Sequence, residues 1–172
     1  MNAAVAERLT AAGRTRYGHF SDDGAEFIIR RPDTPRPWVN VLCNEDPGYG
    51  SIWSQAGGGY SWLVNAELNR ITFWQQDLIR DDRGRFIYLQ DAESGELWSA
   101  AYQPVRRRPE SFECRHGAGY SVISAQNSGI LSRLTVFVPP GAPLEIWLLQ
   151  LTNVSGVRRE LLVTSYLEWC QI

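Results

Sequence analysis

Cysteine, histidine and long apolar runs are all scarce in this sequence, and each shortage excludes something. Three cysteines stand far apart in 172 residues, at Cys43, Cys114 and Cys170. They form neither a CxxC metal knuckle nor a paired disulfide framework, and an odd count fits a reducing compartment better than secretion. Two histidines, His19 and His116, give no HxH or HExxH pattern, so no metal site is expected. Neither sign of charge dominates: 17 basic residues against 19 acidic ones leave a formal charge of -2. That balance points to no nucleic-acid partner and no anionic membrane surface. No apolar run approaches the roughly 18 residues of a membrane helix. The first twelve residues lack the apolar core of a signal peptide, so a cytoplasmic location is expected. Asn153-Val154-Ser155 matches a glycosylation sequon, which means little without a secretory route.

Aromatic residues are plentiful instead. Seven Trp, seven Tyr and six Phe make up 12% of the chain. Two uses compete: filling for a large β-sheet core, or a surface on which pyranose rings stack. Composition does not choose between them.

Along the chain, residues 1–16 read as a loose arm or a short helix over Ala3–Ala12, because Val5 and Leu9 are its only large apolar residues. Phe27–Arg31 reads as a strand. It stops at Arg31-Pro32-Asp33-Thr34-Pro35-Arg36-Pro37, where the prolines exclude both a helix and a central strand. The expected result is a rigid extended segment delivering Trp38. From there strand and turn alternate, through Trp38–Cys43, Ser51–Ser54, Tyr60–Val64, Arg70–Gln75, Phe86–Gln90, Glu96–Ala101, Phe112–His116, Gly119–Ala125, Leu131–Val138, Glu145–Asn153 and Glu160–Trp169. In Leu131–Val138 the residues Leu134, Val136 and Val138 share one face, whereas Ile146–Leu151 is apolar on both faces and reads as central. About ten to twelve short strands without intervening helices predict an all-β fold, a large antiparallel β-sandwich over 17–172. Leu161–Trp169 is strongly apolar and only three residues follow it, so the sandwich is expected to be incomplete at its C-terminus and to continue in a larger enzyme.

Motifs that carry chemistry are few. Ser121, His116 and Asp91 make a triad on paper, but no GxSxG elbow supports it. Gly57-Gly58-Gly59 lacks the Lys-Ser/Thr pair and the helix of a phosphate loop, and reads as a tight turn or a close backbone approach. Arg106-Arg107-Arg108 reads as a solvated loop tip. Asp77, Asp81, Asp82, Glu110 and Glu113 are candidate acid/base carboxylates, none marked by its neighbours as buried. Two glycine-rich loops, Tyr49–Tyr60 and Arg115–Tyr120, set Tyr, Gln, Arg and His beside backbone that can approach a ligand closely. Tyr49, Gln55, Tyr60, Arg115, His116 and Tyr120 are therefore the candidate sugar-binding residues. If the loops merely close the sandwich, Tyr60 and Tyr120 are buried and His116 satisfies a nearby carbonyl.

A family resemblance adds to this. Tyr17-Gly18-His19-Phe20, Arg31–Asn40, Tyr49-Gly50-Ser51, Gly57–Trp62, Arg83–Leu89, Asp91, Trp98-Ser99, Gln103-Pro104, Glu113–Tyr120, Glu145-Ile146-Trp147, Leu151-Thr152-Asn153 and Ser165–Glu168 follow one another as in a known family. Over residues 17–169 the chain resembles the N-terminal domain of the inverting glycoside phosphorylases of glycoside hydrolase family 94. That family includes cellobiose, cellodextrin, cellobionic acid and chitobiose phosphorylases and related modules of cyclic β-1,2-glucan synthases. The resemblance implies a galactose-mutarotase-like super-sandwich, followed in the parent enzyme by a helical linker and an (α/α)6 barrel. It implies a parent that cleaves β-linked gluco-disaccharides or oligosaccharides with inorganic phosphate as co-substrate, giving α-glucose 1-phosphate without metal or organic cofactor. The general acid and the phosphate ligands of the family lie in the barrel, so no residue here inherits a catalytic role and the span alone is expected to be inactive. A homodimer is implied as well. The alternatives are a non-catalytic carbohydrate-binding or dimerising sandwich, or a cyclic glucan synthase module.

Overall fold

The computed structural model describes residues 15–170 except 76 and 78. Residues 1–14, the bulk of the expected arm, lie outside the described residues. Twelve strands follow in order: β1 (Gly18–Phe20), β2 (Glu26–Ile29), β3 (Val39–Cys43), β4 (Tyr49–Ser54), β5 (Ser61–Leu63), β6 (Arg85–Asp91), β7 (Leu97–Ser99), β8 (Ser111–Gly117), β9 (Tyr120–Asn127), β10 (Ile130–Phe137), β11 (Ile146–Asn153) and β12 (Leu161–Leu167). They form a six-stranded sheet in the order β1-β2-β8-β9-β10-β11 and two three-stranded sheets, β3-β4-β5 and β12-β6-β7. Every strand pairing is antiparallel.

The alternation in β10 sets up the core. Leu134 and Val136 point to one face with Ile130, and all three are buried. Register carries that face across the sheet, with Leu134 opposite Ile123 on β9 and opposite Leu149 on β11. Leu42, Tyr49 and Trp53 of the β3-β4-β5 sheet pack on Leu134, Val136 and Val138. Leu89 and Trp98 of the β12-β6-β7 sheet pack on Ile130. The two small sheets thus cover one face of the large one, and the fold is an all-β sandwich. Between β9 and β10 the two-residue turn Ser128-Gly129 has φ of 48° and 73°, the mirror-image turn whose twist matches a hairpin.

The sandwich is open on one side. Strand β11 lies at the edge of the large sheet and β12 pairs only with β6. Leu148, Leu162, Val163 and Trp169 are all more than half exposed. Among the described strands Ile146–Leu151, expected to be central, lies at an edge. Its second apolar face, which suggested burial, is uncovered. Arg70–Gln75 is not a strand either. It makes single bridges, Trp62 to Arg70 and Thr72 to Trp169, and is held by isolated backbone bonds, Ile71 N–H to the Ser61 carbonyl at 2.8 Å and Phe73 N–H to the Glu168 carbonyl at 2.7 Å, together with Tyr60 stacking on Trp74. The short β1, which pairs with β2, went unread because three residues are too few to show a period.

Candidate functional site

The proline-rich segment is fixed at its exit by Trp38. The Gln55 amide holds it from below: Oε1 accepts from the Trp38 N–H at 2.8 Å, and Nε2 donates to the Pro32 carbonyl at 2.9 Å and to Thr34 Oγ1 at 2.7 Å. The Trp38 carbonyl in turn accepts from the Gln55 N–H at 3.0 Å and from His116 Nε2 at 3.1 Å. A carbonyl can only accept, so His116 carries its proton on Nε2, and Nδ1 accepts from Ser121 Oγ at 2.8 Å. Ser121 Oγ also accepts from Asn40 Nδ2 at 3.1 Å. Burial lowers the His116 pKa, against the opposing pull of the Trp38 carbonyl. The neutral ring is a structural pin.

Ser121 and His116 therefore do meet, but not as a nucleophile and its base. Ser121 is fully buried. The far nitrogen of His116 bonds a carbonyl rather than a carboxylate. Asp91 is elsewhere, bonded to Ser94 and to Arg159 Nε at 2.8 Å. The Ser94 backbone N–H, the Ser94 hydroxyl and Arg159 bring its carboxyl down to about 2.

The other four candidates from the two loops have separate environments. Tyr49 is buried in the core beside Trp53. Tyr60 is buried too, stacking on Trp62 and Trp74 at centroid distances of 5.5 and 5.0 Å. Arg115 and Tyr120 converge on Glu26: Arg115 Nη1 donates to Oε2 at 2.7 Å and the Tyr120 hydroxyl to Oε1 at 2.7 Å. These two bonds, Tyr120 first, hold the Glu26 carboxyl below its usual range. Arg115 also pairs with Glu113, which pairs with Arg30, so the charges bind β2, β8 and β9 across the sheet. The structure brings Gln55 and His116 together at Trp38, and Arg115 and Tyr120 together at Glu26. Among the six, Gln55 lines an open polar cavity, of about 180 Å³.

Two groups in the interior are not marked as buried by the sequence: Arg85, and Asp81, which is one of the candidate acid/base carboxylates. Arg85 is fully buried, with its guanidinium 4.3 Å from the Trp53 ring centre. Its Nη2 donates to Ser51 Oγ at 2.7 Å and to the Ile52 carbonyl at 2.9 Å. Its Nε lies 3.0 Å from Glu145 Oε1 but off the hydrogen-bond direction, so that contact is an ion pair. Glu145 also accepts from Ser51, from Ser61 at 3.0 Å and from Trp53 Nε1 at 3.3 Å. The second group is Asp81. Its Oδ2 accepts from the Ser54 hydroxyl and its Oδ1 rests on Gly58. A Cβ on Gly58 would come within 2.1 Å of that oxygen, so the glycine run is a close approach to a carboxyl of this same chain. Burial pushes the Asp81 carboxyl up to about 6, against the Ser54 bond. No short-range pattern links Gly58 to Asp81, which is why the sequence left this acid unmarked.

Among the described residues no group of three His, Cys, Asp or Glu side chains is placed to hold a metal ion. Of the seven Trp, Trp53 and Trp98 are buried, four are part-buried, and Trp169 stands exposed. That is a pattern of core filling without a row of surface rings.

The model of one protein family, described as glycosyl hydrolase 94, supersandwich domain, matches residues 25–172. This chain belongs to that family. The supersandwich domain described here is 36% identical over 156 residues to an N,N'-diacetylchitobiose phosphorylase of Vibrio furnissii, covering 90% of this chain and 19% of that protein. It is 35% identical over 156 residues to a solabiose phosphorylase of Paenibacillus borealis, covering 89% of this chain and 20% of the relative. A cyclic beta-(1,2)-glucan synthase of Rhizobium meliloti (strain 1021) is 31% identical over 156 residues, covering 89% of this chain and 5% of that protein. The supersandwich chain thus spans about a fifth of the length of the phosphorylases it matches.

Proposed function

We propose that this supersandwich is the scaffolding domain of an inverting glycoside phosphorylase. In this reading the parent enzyme cleaves β-linked gluco-disaccharides or oligosaccharides, with inorganic phosphate attacking the anomeric carbon opposite the leaving sugar. An acid supplied outside this span protonates the glycosidic oxygen, and the product is an α-glucose 1-phosphate. Phosphate is already anionic, so no base is needed to activate it. The observation that carries the reading is the family match over residues 25–172, together with relatives that are themselves named phosphorylases. The internal geometry supports a scaffold role: His116, Arg115, Glu26, Arg85 and Glu145 all face partners within the domain. A cytoplasmic homodimer completes the proposal. The full-length protein, incubated with a panel of β-linked disaccharides and phosphate, is expected to release sugar 1-phosphate, while residues 1–172 alone release none. Release by the isolated span overturns the scaffold reading. Phosphate-independent elongation of a β-1,2-glucan by the full-length protein favours the glucan synthase relative instead.

A further inference from the structure

The Pro32–Pro37 segment and the loop after Tyr102 enclose a groove in which two of the lining arginines, Arg36 and Arg108, have no side-chain partner among the described residues. Two cavities, of about 290 and 180 Å³, share Pro32, Asp33 and Tyr102 and run into one another. Together they fall in the range of small-molecule sites, about 300–1,000 Å³. Five arginines line the groove against three carboxyls, in a chain whose overall formal charge is -2. At one end Arg30 is occupied by Glu113 at 2.6 Å, and Arg31 by Asp33 at 2.6 Å. Arg108 stands beside them and makes no ion pair or hydrogen bond among the described residues. Its charge reaches Asp33, whose carboxyl is held below its usual range by Arg31 first and by Arg108 after it.

The other end has a different chemistry. Arg106 is pinned, with Nε on Gln103 Oε1 at 3.0 Å and Nη2 on the Arg80 carbonyl at 2.5 Å, leaving Nη1 free of protein bonds among the described residues. Asp81 lines this end with an acceptor oxygen, and Arg36 stands at its rim, likewise without a bonded partner among the described residues. The wall is rigid, since its prolines have fixed φ and Gln55 fixes the Pro32 carbonyl. A site shaped before the ligand arrives loses little ordering entropy on binding.

A single unpaired guanidinium, Arg108, at one end, joined to an end of mixed donors and acceptors, suits a ligand with one acidic group at one side and hydroxyls at the other. Guanidinium forks bind phosphate or carboxylate oxygens in pairs, and every basic residue of this chain is an arginine. We propose that this groove binds an anionic sugar, a hexose carrying one phosphate or one carboxylate, with Arg108 on the acidic group and Asp81, Arg106 and Arg36 on the hydroxyls. The choice of a sugar rests on the phosphorylase reading; the anion is read from the arginines alone.

The test is calorimetric titration of the full-length protein at low ionic strength, where surface charge is least screened. The probes are glucose 1-phosphate, glucuronate, inorganic phosphate and glucose, each run on the wild type and on Arg108→Ser, Arg108→Lys and Arg36→Ser. Binding at any other site of the full chain is common to all four proteins and cancels in the comparison. Arg108 and Arg36 are exposed and unbonded, so melting temperatures should be unchanged. The expected result is a binding event for at least one anionic sugar that weakens about tenfold in Arg108→Ser, with partial recovery in Arg108→Lys. Which of glucose 1-phosphate and glucuronate binds tells phosphate from carboxylate. Identical isotherms for wild type, Arg108→Ser and Arg36→Ser overturn the proposal. So does inorganic phosphate binding as tightly as glucose 1-phosphate, since the groove would then read a bare anion. A full-length protein that turns over no β-glucoside refutes the phosphorylase reading but leaves this difference measurement intact.

Discussion

Replacing Asp81 with Asn separates the effect of its charge from that of its shape. In the folded protein the Asp81 carboxyl is pushed up to about 6 from 3.8, chiefly by burial. A carboxyl with a raised pKa stabilises the fold most while it is protonated, below its unfolded value. That contribution is lost as pH rises from about 4 through about 6. The difference of about two pH units corresponds to about 3 kcal/mol at neutral pH, an upper figure. Asn is neutral throughout and keeps an oxygen to accept from Ser54. It also tolerates the left-handed backbone of this position, with φ of 49°. Asp81→Asn should therefore match the wild type below about pH 3.5, exceed it by about 1 kcal/mol near pH 4.5, and exceed it by about 2–3 kcal/mol at pH 7.5. His116, whose lowered pKa makes stability fall as pH drops below its unfolded value, acts in an overlapping window with the opposite sign. Asp91 loses its contribution only as pH falls from about 4 towards 2. Both are common to the two proteins, so the informative quantity is the difference between their urea midpoints across pH 4.5–7.5. A difference that stays flat with pH would refute the reasoning, because it would mean that Asp81 ionises as freely folded as unfolded.

Three further outcomes are expected. Arg85→Met should destabilise by about 3–5 kcal/mol, because Glu145, with its side chain only 10% exposed, loses its buried counter-ion. Arg85→Met combined with Glu145→Leu should recover much of that loss in denaturant unfolding, and no recovery would make the pair's packing more important than its charge. Gln55→Ala removes three bonds to the proline-rich segment and should cost about 1–3 kcal/mol. Trp38→Ala should cost about 3 kcal/mol, the low end for a large aromatic because Trp38 is only part-buried; an unchanged midpoint in either variant would mean that the segment is not anchored there. Residues 1–172 alone should self-associate through β11 and β12, and charged substitutions at Leu148 and Val163 should reduce it; a monodisperse monomer at rising concentration in sedimentation would count against an adhesive open side.

The strands were legible wherever apolar residues alternate. In β10 the period-two pattern named the buried face before any neighbour was known, and Leu134, Val136 and Val138 are all buried together. Alternation reports only that a face is apolar and says nothing of what covers it. That is why β11, apolar on both faces, read as central, while among the described strands its outer side has no partner. Arg70–Gln75 failed for a different reason. Ile71, Phe73 and Trp74 have the β propensity of a strand, but the segment has ladder partners at single residues only, and isolated backbone bonds to Ser61 and Glu168 with aromatic stacking fix it instead of a continuous ladder.

The candidate residues were less legible, because their chemistry depends on contacts far apart in sequence. Glycine beside tyrosine, arginine and histidine is the pattern of a ligand loop, and it is equally the pattern of a loop packed against its own chain. His116 and Gln55 show the second use: they bind the backbone C=O and N–H of one residue, Trp38, from positions 78 and 17 residues away. Arg85 and Glu145 are separated by 60 residues, and only the folded sheets bring them together, with the Arg85 guanidinium against the Trp53 and Trp147 rings and the Glu145 carboxylate on the Trp53 N–H. A buried ion pair of this kind contributes little net stability, because desolvation offsets the attraction, but mispairing either partner is costly. Its consequence is therefore registry. The β3-β4-β5 sheet, which supplies Ser51, Trp53 and Ser61, docks with Glu145 and Arg85 in one position, since a shift by one residue would turn Ser51 and Trp53 away and leave a buried carboxylate facing apolar side chains. The same docking sets the position of the Gly57–Gly59 turn over Asp81, and through Gln55 the position of the proline-rich wall of the groove.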